Sequence, residues 1–507
     1  MGEQSNTKRI AKNTLMLYFR QILIMLVSLY TVRVVLNVLG AEDYGIYNVV
    51  AGVVTMFTFM NSALASASQR YFSYYMGLND DKRLSDFFSL SLTIYIIIAV
   101  IIVLLAETFG TWFVNVKLII SEERSFAAKI VYHLSVISII FTMITAPYMA
   151  EIISHEDMNI YATISIVEVL VKLGAVFILK FINYDKLIIY GLLMLVIVII
   201  NTSVYRLVCR TRYKECKFRF YWNKKDFKEM FSYVGWSIFG SVTPIVKNQI
   251  INILINQLYS PVVNAARSIS LQVNTAVSSF SRNFSTALRP QIIKDYATEE
   301  YDKMIALIFH GCKYTYFLMW VFTCPLIIGI DFVLQLWLKN VPDYTITFTK
   351  LALIDALLES ITYPIMTANQ ATGRIKFYQI IVGVILFLNL PISWIFMRNG
   401  FSPNSVMYIA VVMSFISVIA RILIVKVQLK YKLSEFFKIV IIPIFFVTSI
   451  SYVLSFVVKY FLDLYISILN IILSIFIVIL SILIFGLGKN ERMSFIIFLK
   501  KKFNVRK

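Results

Sequence analysis

The feature that most limits the fold of this chain is a nearly continuous series of apolar segments separated by short polar connections. An α-helix needs about 20 apolar residues to cross the hydrocarbon core of a bilayer, and most of these segments reach that length. Hydrophobic residues make up 59% of the 507 residues and charged residues 15%, whereas soluble domains are about 45–50% apolar. The sequence therefore predicts an all-α, polytopic membrane protein.

The hydropathy of the chain predicts about fourteen transmembrane helices. Their predicted limits are roughly 14–39, 44–68, 87–111, 130–150, 159–180, 187–208, 231–255, 261–288, 304–330, 346–370, 377–397, 404–426, 438–458 and 464–486. The polar, basic start of the chain leads into the first apolar segment without a small-residue cleavage site, so we expect no removable signal peptide.

The distribution of positive charge predicts the orientation in the membrane, because cytoplasmic connections are enriched in Lys and Arg. With the N-terminus inside, the inside connections and termini hold about four times as many Lys and Arg as the outside connections. We therefore expect a multi-pass protein of the bacterial inner (plasma) membrane with both termini in the cytoplasm. One inside connection opposes this pattern, since it carries Glu151, Glu156 and Asp157 beside His155 but no Lys or Arg.

The net charge of +20 has a simple explanation in these membrane-flanking cations, which set orientation and meet anionic membrane lipid. Without a soluble domain to carry a basic surface, we expect no nucleic-acid partner. The 4 cysteines and 3 histidines are scattered and form neither a CxxC pair nor the Cys/His cluster that structural zinc needs. We therefore expect no disulfide framework, no cofactor, no metal site and no catalytic residues.

The longest basic connection, at 206–230, divides the chain and suggests an internal duplication. We expect an N-terminal six-helix lobe at 1–210, a basic cytoplasmic linker at 211–230, a C-terminal six-helix lobe at 231–430, and two additional helices with a basic cytoplasmic tail at 431–507. Such repeated halves around a central site are a common plan among transporters.

The openings of the two lobes support the duplication. Arg33 precedes Asn37 in the first predicted helix, and Lys247 precedes Asn252 in the seventh, with Asn264 following in the eighth. The second helix of each lobe is rich in small residues before an arginine. Convergence remains an alternative, because small residues also let unrelated membrane helices approach closely.

Three segments carry a family resemblance: LGAEDYGIYN at 39–48, VNAARSISLQVN at 263–274 and PQIIKDYA at 290–297. They resemble polysaccharide flippases of the O-antigen transporter type, in the superfamily that also contains multidrug extruders and the lipid II flippase. The resemblance extends over nearly the whole chain in helix number and layout. It implies two six-helix lobes, a central cavity, and alternating access that flips a polyprenyl-pyrophosphate-linked oligosaccharide.

Charged residues inside the predicted spans are candidates for a substrate site, because each costs at least about 2.5–3.5 kcal/mol near the bilayer centre unless it faces a cavity or a partner. The spans contain more cations than carboxylates, and Arg and Lys can bind the negative charge of a pyrophosphate. The alternatives are ion pairs within a lobe or side chains that reach the interface from helix ends, which we expect for Arg20, Arg282, Lys350 and Arg421. The candidate substrate-binding residues are Arg33, Lys247, Arg267, Lys313, Asn37, Asn252 and Asn264.

Asp355 and Glu359 are candidates for ion coupling. Their i, i+4 spacing places two like charges on one helix face, and H⁺ or Na⁺ bound there would relieve their repulsion. Alternatively, they pair with Lys350 or with cations of neighbouring helices.

Three functions fit these features to different degrees. The leading one is a flippase for a lipid-linked oligosaccharide in surface polysaccharide biosynthesis, with a cationic cavity and no covalent step. A cation-coupled multidrug exporter is the first alternative, although its substrates favour acidic cavity residues. A membrane sugar transferase or polymerase is the second, although the acidic doublet Glu42–Asp43 lies in a turn too short for a sugar site.

Overall fold

The structure is a computed structural model that describes residues 2–55, 58–116, 121–338, 340–461, 467–488 and 491–493. In these ranges all regular secondary structure is helical. Twelve of the described helices are long and apolar enough to cross a membrane. The prediction of an all-α, polytopic membrane protein is therefore confirmed.

The helices follow one another with short connections. The first eight are α1 (Gly2–Leu39), α2 (Ala41–Thr55), α3 (Thr58–Gly77), α4 (Asp81–Leu105), α5 (Thr111–Val116), α6 (Glu122–Ser154), α7 (Met158–Leu179) and α8 (Lys186–Arg212). The others are α9 (Lys224–Leu258), α10 (Pro261–Ala297), α11 (Tyr301–Leu338), α12 (Thr345–Ala371), α13 (Lys376–Arg398), α14 (Asn404–Leu429), α15 (Leu433–Phe436), α16 (Ile442–Phe461) and α17 (Ser467–Ser481).

Two of the predicted spans are helical but are not among the twelve. The span predicted at 44–68 is divided between α2 and α3, with 56–57 outside the described residues. The span predicted at 261–288 lies in α10, which at 37 residues is about 55 Å long but rich in serine and other polar residues. Ser270 and Ser281 of α10 are fully buried. These buried hydroxyl groups face protein and do not need the hydropathy of a lipid-facing span.

The chain folds into two compact units. Unit 1 comprises residues 1–242 and 289–299, and unit 2 comprises 243–288 and 300–507. The division falls inside α9 and inside α10, so each of these helices contributes residues to both units. The lobe and linker limits predicted from the sequence stay a prediction.

Helix α6 is the centre of unit 1 and packs against α2, α3, α4 and α8. Its buried residues recur at helical spacing, with Ala128, Val131 and Tyr132 on the protein-facing side. The Tyr132 hydroxyl donates a hydrogen bond of 2.5 Å to the carbonyl oxygen of Ala106. This carbonyl lies in a π-helical segment, Ala106–Gly110, which follows α4. The bond therefore fixes the irregular end of α4 to α6.

Gly110 makes this approach possible, and its replacement by alanine should destabilise unit 1. A Cβ atom at Gly110 would lie 2.0 Å from the Tyr132 hydroxyl oxygen, so the buried tyrosine would have to move. Overpacking of this kind costs about 1–3 kcal/mol, and thermal unfolding in detergent should show a lower midpoint for Gly110→Ala. Gly174→Ala in α7 is the matched control, because nothing lies within 4 Å of an added Cβ there. An equal loss in both variants would contradict the explanation.

In unit 2, α11 packs against α12 and α17, and α14 packs against α12 and α13. Helix α11 bends at Gly329, whose backbone leaves the helical region, four residues after Pro325. Glycine leaves the helical region at little steric cost, so the bend has a local cause at Gly329 itself. The α9, α10, α12, α13 and α14 helices share one buried cluster, which includes Ile255, Ala266, Phe348 and Met397. This cluster positions the beginning of α10 against α9.

The acidic turn between α6 and α7 is neutralised by cations from distant parts of unit 1. Glu156 forms ion pairs of 2.9 Å with Arg9 of α1 and with Lys294 of α10. Asp157 lies 3.3 Å from Arg212, at the end of α8. The turn carries no Lys or Arg of its own, and its cationic partners come from other helices. A count of charges along one connection could not detect this compensation.

Candidate functional site

The largest group of predicted site residues lies where the end of α9 meets the beginning of α10, in unit 2. The sequence sets this turn: Ser260 precedes Pro261, and proline is favoured at the first position of a helix because its missing N–H is not needed there. The Ser260 hydroxyl caps the helix by accepting a hydrogen bond of 3.3 Å from the Val263 amide. α10 thus doubles back along α9, so its first turns face residues that precede the turn.

Arg267 of α10 is the centre of the group, and its side chain is held by two amides of α9. Its Nη2 donates to the Asn248 Oδ1 at 3.1 Å, and its Nη1 donates to the Asn252 Oδ1. The two asparagines are four residues apart and therefore lie on one face of α9. Arg267 and Asn252, both candidates from the sequence, are therefore in contact. Asn248 joins them, although the sequence did not mark it as a candidate.

The charge of Arg267 is buried without a carboxylate partner. The residue is 4% exposed, and none of the residues that the structure describes places a carboxylate oxygen within 4.0 Å of its guanidinium. Its Nε is buried and has no hydrogen-bond partner among them. The neutral amide oxygens hold the guanidinium in place but do not compensate its positive charge. A buried charge in this state is costly unless a ligand or another group completes it.

Asn264 adds an unsatisfied acceptor to the same helix face. It precedes Arg267 by three residues, so the two side chains project from neighbouring positions on α10. The Asn264 Oδ1 is buried and makes no hydrogen bond to the described part of the chain. One unpaired donor and one unpaired acceptor thus lie close together near the start of α10.

Lys247, Asp355 and Glu359 belong to the surroundings of Arg267. Lys247 is half-buried and interacts electrostatically with both carboxylates and with Arg267. Its ammonium makes no hydrogen bond or ion pair within 4.0 Å to the residues described here. Asp355 accepts a hydrogen bond from the Ser414 hydroxyl, while Glu359 is exposed. The predicted cation and carboxylate candidates of α9, α10 and α12 therefore share one neighbourhood.

Lys313 lies elsewhere in unit 2 and has an acidic partner. Its ammonium is 2.8 and 2.9 Å from the two carboxylate oxygens of Glu491, beyond the last helix. The Tyr314 hydroxyl donates to the same carboxylate at 2.5 Å. The charge of Lys313 is therefore compensated within the protein, and a substrate would have to displace Glu491 to reach it.

Arg33 and Asn37 are the candidates of unit 1. Both are exposed on α1 and lie on one helix face. The opposite side of α1 packs through Val35 and Leu39 against α7 and α8, where Tyr190 belongs to the same cluster. Within the described ranges neither candidate side chain has a hydrogen bond or an ion pair. Both are therefore free to contact a ligand.

Arg421 corrects an expectation from the sequence. Its position near a helix end predicted a side chain that reaches the membrane interface, but the residue is buried. Its Nη1 donates to Thr362 Oγ1 at 2.8 Å and its Nε to Ser417 Oγ at 3.1 Å. Hydroxyl groups on α12 and α14 make burial possible, and a hydropathy profile contains no sign of them.

One group of side chains has the composition of a metal site. The scattered histidines of the sequence predict no metal site. Glu151, His155 and Glu215 of unit 1 place their ligand atoms within 4.8 Å of one another. Burial lowers the pKa of His155, but the two neighbouring carboxylates outweigh it and raise the pKa to about 9. Burial raises the pKa of Glu215, but its contact with His155 outweighs this and lowers the pKa below its ordinary value.

The chain resembles known proteins in both sequence and fold. A family model described as "Polysaccharide biosynthesis protein" matches residues 10–294. No curated protein matches the chain. Among solved structures, a MATE transporter in the bent conformation has a TM-score of 0.74 at 11% identity, covering 84% of this chain and 96% of its own.

Two further structures show the same fold. The outward-facing conformation of a multidrug resistance MATE family transporter of the MOP superfamily has a TM-score of 0.71 at 11% identity, covering 84% of this chain and 96% of its own. A MOP superfamily transporter from Pyrococcus furiosus, described as having a binding pocket of reverse polarity, has a TM-score of 0.69 at 11% identity, covering 83% and 96%. These likenesses establish the fold of MOP-superfamily transporters.

Proposed function

Because the chain belongs to the polysaccharide biosynthesis protein family and has the fold of MOP-superfamily transporters, we propose that it flips a polyprenyl-pyrophosphate-linked oligosaccharide by alternating access. The substrate moves from the cytoplasmic to the periplasmic leaflet of the bacterial inner membrane, and both termini lie in the cytoplasm. Family and fold point to a transporter rather than an enzyme, and the proposed cycle contains no covalent step.

The observation that carries this proposal is the buried guanidinium of Arg267, which two neutral amides hold without a carboxylate. A pyrophosphate is the anionic group of the proposed substrate, and its oxygens would compensate this charge. Charge-assisted hydrogen bonds from an arginine to a phosphate are about twice as strong as neutral ones. The unpaired Arg267 Nε offers a donor to the anion, and the unpaired Asn264 Oδ1 offers an acceptor to a sugar hydroxyl.

The other candidates take supporting roles in the proposal. Lys247 adds a point charge beside Arg267, and Arg33 and Asn37 are the corresponding candidates of unit 1. Lys313 contributes only if the substrate competes with Glu491 for its ammonium. The apolar polyprenyl tail remains in membrane lipid throughout, so the protein needs to shield only the charged and sugar portions.

Asp355 and Glu359 are the proposed coupling site for H⁺ or Na⁺. With both carboxylates ionised, they attract the ammonium of Lys247, while Arg267 keeps no carboxylate of the described residues within 4.0 Å. A cation bound at Asp355 would leave the neighbourhood with a net positive charge and strengthen anion binding. By linkage, the bound anion would strengthen cation binding by the same factor.

Asp355→Asn tests this coupling, because it removes the carboxylate charge permanently. We expect the variant to bind the lipid-linked pyrophosphate but to lose the stimulation of transport by an imposed H⁺ or Na⁺ gradient. Transport into proteoliposomes, with and without each gradient, measures the effect. Asp302→Asn, an exposed carboxylate at the start of α11, is the matched control and should respond like the wild type. Undiminished gradient stimulation in Asp355→Asn would rule out coupling at this residue.

A multidrug exporter is the second candidate function, favoured by the fold shared with a multidrug resistance MATE transporter. The fold alone does not define the substrate. For the Pyrococcus furiosus transporter of this fold, the reverse polarity of the binding pocket is described as suggesting a different function. A buried guanidinium without a carboxylate suits an anion better than the cations that multidrug exporters carry.

Deletion of the gene separates these functions. The flippase proposal predicts that complete lipid-linked oligosaccharide accumulates on the cytoplasmic face of the membrane, and that the wild-type gene reverses this accumulation. Altered drug tolerance with unchanged glycolipid would support the exporter instead. Loss of oligosaccharide synthesis itself would indicate an enzyme.

A further inference from the structure

The strongest unassigned site lies at the end of α6 in unit 1, where three side chains from two separate segments converge. Glu151 lies in the last turn of α6, His155 directly follows α6, and Glu215 lies in a short 3₁₀ segment after α8. The His155 Nε2 is 2.7 Å from Glu215 Oε1 and 3.2 Å from Glu151 Oε1. Two carboxylates thus converge on one imidazole nitrogen.

One nitrogen cannot satisfy both carboxylates. The hydrogen-bond geometry joins His155 to Glu215, and Nε2 carries at most one hydrogen. Glu151 is 0% exposed, and neither of its carboxylate oxygens has a hydrogen bond of acceptable geometry within the described part of the chain. A buried carboxylate without partners is costly. No Lys or Arg of the described residues lies within 4.0 Å of either glutamate, so this carboxylate points at the imidazole with nothing else to compensate it.

The surroundings hold the imidazole in a fixed orientation. Its ring stacks on Tyr213 with ring centres 4.1 Å apart and an angle of 8° between the planes. The Tyr213 hydroxyl donates a hydrogen bond of 2.6 Å to Asp157. The stacked tyrosine, itself anchored by Asp157, restricts rotation of the imidazole.

We propose that Glu151, His155 and Glu215 bind a divalent transition-metal ion of the zinc type. One imidazole nitrogen with two carboxylate oxygens is a donor set that suits zinc, whereas Ca²⁺ and Mg²⁺ prefer oxygen ligands alone. Two carboxylates also neutralise the ion. Ligand bonds of about 2.0–2.2 Å place tetrahedral ligand atoms about 3.3 Å apart, close to the spacing of the imidazole nitrogen and Glu151. Water completes the coordination.

The ion would join two parts of unit 1 that are far apart along the chain. Glu151 and His155 belong to the end of α6, while Glu215 belongs to the connection between α8 and α9. Metal binding would therefore anchor this connection and stabilise unit 1. The inference stands apart from the proposed flippase activity, because it rests on different residues.

Metal content and thermal stability of the full-length protein test this inference. The protein, without a polyhistidine tag, is stripped with a chelator, dialysed against Zn²⁺ or Mg²⁺, and analysed by elemental mass spectrometry. We expect one equivalent of Zn²⁺, no bound Mg²⁺, and a higher unfolding midpoint with Zn²⁺. Glu151→Gln and His155→Ala should each lose the Zn²⁺, with an affinity loss larger than the about 10- to 100-fold typical of outer-shell changes.

His133→Ala is the matched control, because the exposed His133 of the same unit pairs with one carboxylate among the described residues, that of Glu107 at 3.0 Å. It should keep the equivalent of Zn²⁺. Glu215→Gln provides a further variant should the buried substitutions prevent folding, since Glu215 is only half-buried and lies outside the α-helices. Wild-type protein without a stoichiometric metal, or equal Zn²⁺ in Glu215→Gln and wild type, would overturn the inference.

Discussion

Replacing Arg267 with alanine should reduce transport of the lipid-linked oligosaccharide by about 10- to 100-fold. The substitution removes the buried guanidinium that we propose binds the pyrophosphate, and a hydrogen bond to a charged group contributes about 1.5–3 kcal/mol. Each 1.4 kcal/mol corresponds to a factor of ten. Movement of a labelled substrate in proteoliposomes measures the effect, together with its affinity for the detergent-solubilised protein.

Asn252→Asp tests the same claim without removing the arginine. The aspartate is nearly the same size as the asparagine that already accepts from Arg267, but it supplies the carboxylate that the guanidinium lacks. We expect this variant to fold normally and yet to bind and transport the pyrophosphate-linked substrate poorly. Arg398→Ala removes an exposed cation at the end of α13 and should transport like the wild type. Full transport by Asn252→Asp would contradict an anion site at Arg267.

Replacing Glu491 with glutamine should cause the largest loss of stability, because it leaves the buried positive charge of Lys313 without its carboxylate. Lys313 is 3% exposed, and loss of one partner from a buried ion pair costs about 3–5 kcal/mol. We expect the lower end of this range, since the Glu491 side chain is 19% exposed. The unfolding midpoint in detergent should fall by several degrees.

The double variant Glu491→Gln with Lys313→Met provides the control, because it removes the buried charge together with its partner. It should regain much of the lost stability. Glu300→Gln breaks an exposed pair with Lys303 and should change the midpoint little, as surface pairs contribute about 0–1 kcal/mol. Equal effects of Glu491→Gln and Glu300→Gln would show that the ion pair at Lys313 contributes little.

The same pair has a defined pH dependence. Burial raises the pKa of Glu491, but its contacts with His310, Lys313 and Tyr314 outweigh this and hold the pKa well below its ordinary value. Because the folded protein lowers this pKa, the stabilisation is complete above the unfolded value of about 4.3 and is lost as the pH falls below it. The difference in midpoint between wild type and Glu491→Gln should therefore shrink in acid.

The helices could be predicted from the sequence because the bilayer leaves few other structures to a chain with such long apolar segments. For α10 the predicted limits agree with the structure at one end only. Its start at Pro261 coincides with the predicted span at 261–288, because serine and proline mark a helix beginning. Its end at Ala297 lies beyond the predicted limit, because Asp295 and other residues of its last turns are buried within protein, and hydropathy measures only suitability for lipid.

The pairing of charges could not be predicted, because it depends on which helices meet. Lys313 and Glu491 are 178 residues apart, and nothing near either residue indicates the other. Arg267 is a candidate from the sequence because it is a cation inside a predicted span near the opening of a lobe, but its contact with Asn248 depends on how α10 folds back along α9. Arg421 shows the reverse error, since its helix-end position concealed the hydroxyl groups that allow its burial.

The most direct test of the central claim is a transport measurement with purified protein in proteoliposomes. A labelled polyprenyl-pyrophosphate oligosaccharide is placed in the membrane, and the fraction that becomes accessible to an impermeant external reagent is followed over time. We predict that wild-type protein accelerates this exposure far above protein-free vesicles and that Arg267→Ala and Asn252→Asp do not. Exposure no faster than in protein-free vesicles, or equal rates for the wild type and both variants, would contradict the account.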